Sequence, residues 1–398
     1  DNGASAGETM FMYSGLLADE WQTGDSFIQR LETDQRVVTE INSLIRGGYQ
    51  FAQRARVSAQ QAVAALREFA PATPAWQIAE LYFVQGYEEN MLAEHFCSGV
   101  PFSTVLLSGE EQLGTPLTTV QTYERALAHA DSALALITAT DAATTRIRNA
   151  ARVLRGRILL NLNRPADAAA AVAGVPTAFA YQNQHSQVTR DNTMWAMNNS
   201  ARRYTVAQSE GGNGFNFHNS GDPRVPVAQC RNSNGSLNAA CQAAGVTTTV
   251  VFNNGSPTPL FAQLKWPARD APVSVADGIE ARLIEAEAAL RGGNAAGALN
   301  ILNALRASVP GLTPLADAGT DAARVDQLFR ERAFWMFSTG HRLGDMRRLI
   351  RQYGRAQNTV FPVGNFAEGG TYGTDVNFPI PQAERNNPNF TGCLDRNA

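Results

Sequence analysis

Histidine is the side chain best suited to acid–base or metal chemistry near neutral pH, and this chain has five: His95, His129, His185, His218 and His341. They are scattered, with no metal-ligand spacing and no HExxH. No G-x-S-x-G, phosphate-binding loop or EF-hand loop occurs. The adjacent carboxylates Glu88-Glu89 and Glu110-Glu111 read as solvated surface. The sequence therefore points to a non-enzymatic protein with no metal and no cofactor. What it does offer is aromatic rings set among amides and arginines. Trp195, Tyr204, Phe215, Phe217 and Trp266 lie near Arg203, Asn216 and Asn219. Flat rings stack on sugar faces, while amide and guanidinium groups bond hydroxyls. These eight are the candidate ligand-binding residues, and core packing is the competing reading for each ring. Gly211-Gly212-Asn213-Gly214 reads as a flexible turn, because no strand–turn–helix frame surrounds it.

A chain of 398 residues can bury a large core. Hydrophobic residues make up 44% and charged residues 17%, so it is folded rather than disordered. A net charge of −3 argues against broad attraction to nucleic acid. Lys265 is the single lysine, and every other basic residue except the histidines is arginine. No apolar run reaches membrane-spanning length. The chain begins at Asp1 rather than Met, which suggests a processed or trimmed form; a secretory leader and any lipid-bearing cysteine would lie upstream.

The four cysteines match no zinc pattern. Cys230 and Cys241 flank a Ser/Asn/Gly-rich loop and could close it. Cys97 and Cys393 would then pair by elimination, tying the tail to the first half. Four buried free thiols are the alternative. Asn198, Asn234, Asn254 and Asn389 lie in N-x-S/T sequons, which marks them for glycan attachment or chance occurrence.

Helical spacing dominates the rest. Residues 8–21 and 36–70 read as helices, and another follows Thr73-Pro74 with Ile78, Leu81, Tyr82 and Tyr87 on its core side. Thr118-x-x-Gln121 is a capping box. Ile147, Ala151, Leu154 and Ile158 form a buried stripe. A second stripe holds Ile279, Leu283, Ala286 and Leu290, with Glu287 and Arg291 as a supporting i,i+4 pair. Residues 151–171 and 281–301 align as a repeated small-residue helix pair in the tetratricopeptide style. GVTTTVVFNN and LFAQLKW read as short strands. Four regions follow. Residues 1–175 are helical, and residues 176–272 are a loop-rich insertion with short strands. Residues 273–351 form a second helical region, and residues 352–398 an irregular tail wrapping the helical body.

The stretch from Leu328 to Ile350 reads as two helices joined at Gly340, with Asp321 as the cap of the first. Charges crowd beside large aromatics, which suggests a charge-braced joint rather than a solvated face. Glu331, Arg332, Gly340, Arg342, Asp345 and Arg348 together resemble a pattern of the RagB/SusD family of outer-membrane nutrient-uptake proteins. Phe378-Pro379-Ile380-Pro381 and Asn386-Asn387-Pro388-Asn389 resemble that family's closing turn, and Asn303-x-x-Arg306 a motif near the second helix pair. Residues 19–36 and 79–101 also resemble family segments, so the likeness covers nearly the whole chain. The four residues Phe334-Trp335-Met336-Phe337 depart from the usual acidic run.

The resemblance implies a mainly α, SusD-like scaffold. It implies a lipid-anchored lid subunit on the extracellular face of the outer membrane, which captures a glycan or peptide. Its partner would be a SusC-like TonB-dependent transporter. The alternative is a secreted, self-assembling subunit of a surface filament or layer, a homo-polymer decorated with glycans.

Overall fold

The computed structural model describes residues 9–252 and 258–398. The fold is mainly α. Two opening helices, α1 (Met10–Leu17) and α2 (Ile28–Asp34), precede the long pair α3 (Ser43–Phe69) and α4 (Ala75–His95). Next come α5 (Thr119–Leu136), α6 (Ala142–Asn161) and α7 (Pro165–Val172). A short α8 (Ala239–Ala243) lies in the middle segment. The pair α9 (Gly278–Arg291) and α10 (Ala295–Ala307) follows, then α11 (Asp321–Trp335), α12 (Arg342–Tyr353) and a single turn, α13 (Gln357–Val360).

Helices α3 to α7 pack each on the next, and α7 passes the stack on to α9 and α10. Small residues permit the close approach. A Cβ on Gly86 would lie 2.9 Å from the Ala126 carbonyl, and one on Gly156 would lie 2.6 Å from Val172. Ala126, Ala130, Ala150 and Ala151 are fully buried around them. The capping box at Thr118 forms as read, and Ile147, Ala151, Leu154 and Ile158 face the core. Three local readings change. Thr320, not Asp321, caps α11 through its side chain. On α4 the buried line is Ala79, Phe83 and Tyr87, while Ile78, Leu81 and Tyr82 are half-buried. The helix face is set by the helices packed on it, α3, α5, α6 and α12, rather than by hydropathy alone. Glu287 does not support Arg291. It is buried and accepts from Arg348 and from the Tyr353 hydroxyl, at 2.7 Å for the latter, while Arg291 donates to Asn163.

The strands are short and form five two-stranded ladders among the described residues, all antiparallel. Strands β1 (Trp21–Thr23), β2 (Val100–Pro101), β3 (Thr104–Val105), β4 (Glu111–Gln112) and β5 (Pro116–Leu117) lie in the first half. Strands β6 (Ala180–Asn183), β7 (Tyr204–Val206), β8 (Val227–Gln229), β9 (Phe261–Gln263) and β10 (Val273–Asp277) follow. The β6–β10 ladder closes the middle segment at its base, and β1–β7 ties that segment to the N-terminal region. Of the two expected strands there, LFAQLKW supplies β9. GVTTTVV contributes only an isolated bridge from Val250 to Pro259.

The two disulfides are Cys97–Cys393, spanning 296 residues, and Cys230–Cys241, spanning 11. The first is reinforced where Cys97 N–H donates to the Phe378 carbonyl at 2.9 Å and Phe378 N–H to that of His95 at 2.8 Å. The tail is thus pinned to the end of α4.

The joint between α11 and α12 holds a set of buried, mutually paired charges. Arg332 and Arg348 both donate to Asp345, and Arg348 also to Glu287. Glu331 accepts from Arg224 at 2.6 Å and from Arg306 at 2.7 Å. Arg342 grips both Asp19 oxygens at 2.6 and 2.7 Å. Gly340 has φ +79°, and a Cβ there would lie 2.6 Å from the Phe11 ring. Burial opposes each charge, and the ion pairs overcome it: Asp345 stays well below the usual carboxylate range and Arg348 well above its ordinary value.

Glu331→Ala would leave Arg224 and Arg306 without their shared carboxylate, so a loss of about 3–5 kcal/mol is expected in urea unfolding. A loss below about 1 kcal/mol would show that the joint carries little of the fold's stability. Cys97→Ser/Cys393→Ser should cost about 2–5 kcal/mol in the same assay, because a long loop is released in the unfolded chain.

Candidate functional site

Three of the five candidate rings have no face to offer a ligand. Tyr204 and Phe217 are fully buried and Trp266 nearly so. Tyr204 packs edge-on to Trp21, and Phe217 lies against Phe334 and Phe337. Trp266 carries the Lys265 ammonium over its ring, and its backbone is fixed by the Gln263 side chain. These rings are core, Phe217 against the joint and Tyr204 against β1, which corrects their assignment as ligand residues. Trp195 is half-buried, with its indole N–H on the Ala244 carbonyl at 2.9 Å and Gly245 against its ring. Asn216 accepts the Asn219 N–H at 3.1 Å, and Asn219 is exposed. Phe215 is half-buried and lines a cavity against α11. In the Gly211–Gly214 turn Gly211 is packed, since a Cβ there would lie 2.3 Å from the Val363 nitrogen, while Gly212 is open.

Arg203 leads to the open aromatic surface. Gly24 N–H donates to the Arg203 carbonyl at 2.7 Å, and Phe252 N–H to that of Arg202 at 3.0 Å. The backbone of residues 202–203 is therefore clasped between the 24–28 turn and Phe252. Asp25 then gathers the side chains. It accepts Arg30 at 2.6 Å, Arg203 at 2.9 Å and the Phe27 N–H at 2.8 Å. The Arg203 guanidinium lies 3.6 Å over the Phe252 ring, and Arg30 lies 5.1 Å over that of Phe27. Phe27, Ile28 and Phe252 are 46%, 62% and 40% exposed. The result is a surface of two rings and an aliphatic group, stiffened by two arginines on one carboxylate. The alternation of acids and arginines around Phe27 was visible in sequence. Its meeting with Phe252, more than two hundred residues away, was not.

A buried acid pair underlies this surface. Asp34 on α2 accepts the Thr23 N–H of β1 at 2.6 Å. Its carboxyl faces Glu210, with Gln22, Asp19, Glu368 and Tyr372 around the pair. Burial pushes Asp34 up to about 7. Glu210 is pushed well above the carboxylate range by burial first and by the Asp34 charge second. One proton shared between the two carboxyls satisfies both.

Other polar groups are structural. Glu89 is buried and holds Arg125 and His129, at 2.6 and 2.7 Å, and so is not surface. The sole lysine, Lys265, donates to the Trp335 and Phe337 carbonyls at the end of α11, and burial lowers it to about 8. Among the described residues, no three His, Cys, Asp or Glu side chains are placed to hold a metal ion. No helix among them is long and apolar enough to cross a membrane. Asn198 is fully buried, with its amide on the Tyr204 carbonyl at 2.8 Å, so the folded chain cannot accept a glycan there. Asn234 and Asn389 are exposed. Asn254 lies outside the described residues.

No model of a known protein family matches the chain, and no curated protein matches it. Solved structures do. A SusD superfamily protein from Parabacteroides distasonis superposes with a TM-score of 0.72 at 16% identity, over 97% of this chain and 93% of that one. The fold is that of the SusD superfamily. A SusD-like carbohydrate binding protein from Bacteroides fragilis superposes on the same SusD frame with a TM-score of 0.69 at 16% identity, over 96% and 93% of the two chains. Surface glycan-binding protein A from Bacteroides uniformis does so with 0.67 at 14% identity, again over 96% and 93%.

The acid pair makes stability pH-dependent. An acid whose folded pKa exceeds its unfolded value binds its proton more tightly when folded. Its stabilising contribution is complete below about pH 4 and is lost as pH rises through about 7. The urea midpoint should therefore fall between pH 5 and pH 8, and less steeply in Asp34→Asn, which keeps an acceptor for Thr23. Identical slopes for variant and parent would remove the pair from the account.

Proposed function

We propose that this chain is a non-enzymatic, cell-surface carbohydrate-binding protein, whose Phe27–Arg203–Phe252 surface takes the sugar. The observation that carries the reading is the SusD fold joined to two open rings beside the shared Asp25–Arg30–Arg203 cluster. Rings of this kind accept the apolar face of a pyranose, and the half-buried Arg203 guanidinium is placed to bond its hydroxyls, with the buried Arg30 holding Asp25 beneath it. The SusD-like protein from B. fragilis is described as carbohydrate binding and the B. uniformis protein as surface glycan-binding, which supports the same class of ligand here.

In this reading the segment 176–272 is the working region. The helical regions (residues 1–175 and 273–351) and the tail (residues 352–398) hold it in place. The chain acts on the extracellular face of the outer membrane, on a lipid anchor, and passes its ligand to a SusC-like TonB-dependent transporter. Two rings and one open guanidinium group give a modest, weakly selective site, which suits capture followed by release rather than tight storage.

Calorimetric titration against a panel of soluble polysaccharides tests the proposal. Phe252→Ala and Arg203→Ala should each weaken binding about tenfold, the loss of one stacking or cation–π contact. Trp266→Ala should instead lower the unfolding midpoint, since that ring is core. A panel that binds nowhere, or binds both surface variants as well as the parent, would overturn the reading. Co-purification of a TonB-dependent receptor from the native membrane tests the transporter step.

A further inference from the structure

A second cavity, of about 600 Å³, lies between the 213–215 loop, α11 and the 355–360 turn. Its size falls within the range of small-ligand sites. We propose that it binds a carboxylate-bearing sugar, a uronic acid residue, at a position separate from the Phe27–Phe252 surface.

Three features of the wall specify that chemistry. Phe215, half-buried, gives it aromatic surface, and the buried Phe329, Leu349 and Val360 form an apolar floor. Those groups suit the apolar face of a pyranose ring. Arg330 supplies charge. It is exposed, lies 4.7 Å over Phe334 and 5.5 Å over Phe215, and has no carboxylate partner among the described residues. The other two guanidinium groups in the wall are neutralised. Arg342 is held on both oxygens of Asp19, and Arg355 donates to Asp326 at 2.7 Å and to the Ala322 carbonyl at 2.7 Å. The cavity therefore carries one uncompensated guanidinium, among the described residues, beside aromatic rings.

Asn213 completes the set. Its Nδ2 donates to the Asn358 and Phe361 carbonyls at 3.1 and 2.8 Å. That fixes the amide and leaves Oδ1, which is buried, without a donor among the described residues. A buried acceptor left unmatched is costly, and a ligand hydroxyl is a suitable donor. An apolar ring face, an anionic group and a hydroxyl occur together in a uronic acid. A neutral sugar would leave Arg330 unmatched, and an aliphatic carboxylate would leave Asn213 unmatched.

The test compares trigalacturonate with neutral maltotriose by calorimetry on the intact chain. The parent should bind the acidic trisaccharide about tenfold more tightly, the scale of one charge-assisted contact. Arg330→Gln should abolish that preference. Arg330 is exposed and makes no ion pair among the described residues, so the variant keeps the parent's unfolding midpoint. Phe252→Ala should weaken any binding of the two trisaccharides at the surface patch alike and leave the acid preference in place, which separates this cavity from that patch. Equal affinity for the two trisaccharides in the parent would overturn the proposal. So would an acid preference that survives Arg330→Gln, or one that disappears in Phe252→Ala. Added salt should weaken trigalacturonate binding more than any binding of maltotriose.

Discussion

A guanidinium or carboxylate taken out of water is stable in a protein only if an opposite charge and fixed hydrogen bonds replace its hydration. This chain concentrates that constraint at the joint between α11 and α12. Glu331, Arg332, Arg342, Asp345 and Arg348 are all buried there, and each is paired. Asp19 comes from the end of α1, Arg224 from the middle segment, Glu287 from α9 and Arg306 from α10. Because these charges are buried and shared among several elements, the joint fixes the relative positions of elements that are distant in sequence. Hydrophobic contact has no such directionality. The Ala-rich helix pairs supply buried area and close approach, and the charge pairs supply register.

The middle segment shows how such a body holds an irregular stretch of chain. It is closed at its base by the β6–β10 ladder, stapled internally by Cys230–Cys241, and tied to the N-terminal region through β1–β7. Among its buried rings, Phe217 packs on Phe334 and Phe337 of the joint, and Tyr204 packs on Trp21 of β1. What remains for recognition lies at its edges. One edge is Phe252 with Arg203, facing Phe27. The other is Phe215, facing α11. Both pair an aromatic with an arginine, but they differ in charge balance. Arg203 shares Asp25 with Arg30, whereas Arg330 has no carboxylate partner among the described residues. A difference of that kind separates a general sugar-stacking surface from a cavity that favours an acid.

Helical periodicity, the capping box at Thr118, the small-residue repeat and the cysteine pairing were legible in the chain, because each depends on neighbours in sequence or on a count. The charge-crowded stretch around Gly340 was legible as a joint, since large aromatics beside arginines are incompatible with a simple solvated face. The sequence could not say which aromatics were open. Tyr204 and Phe252 have the same kind of polar surroundings in the chain. Yet Tyr204 is fully buried against Trp21, and Phe252 is 40% exposed. Burial is decided by which distant elements arrive on each side, and β1 arrives only on that of Tyr204. Glu287 makes the same point: helical spacing offers it Arg291, but the tertiary structure gives it Arg348, because a buried carboxylate takes the partner that is buried with it. The chain alone thus determined the helices, their small-residue contacts and the elements of the joint. Only the folded structure decided which charges pair and which rings reach water, since both depend on distances that sequence spacing does not encode.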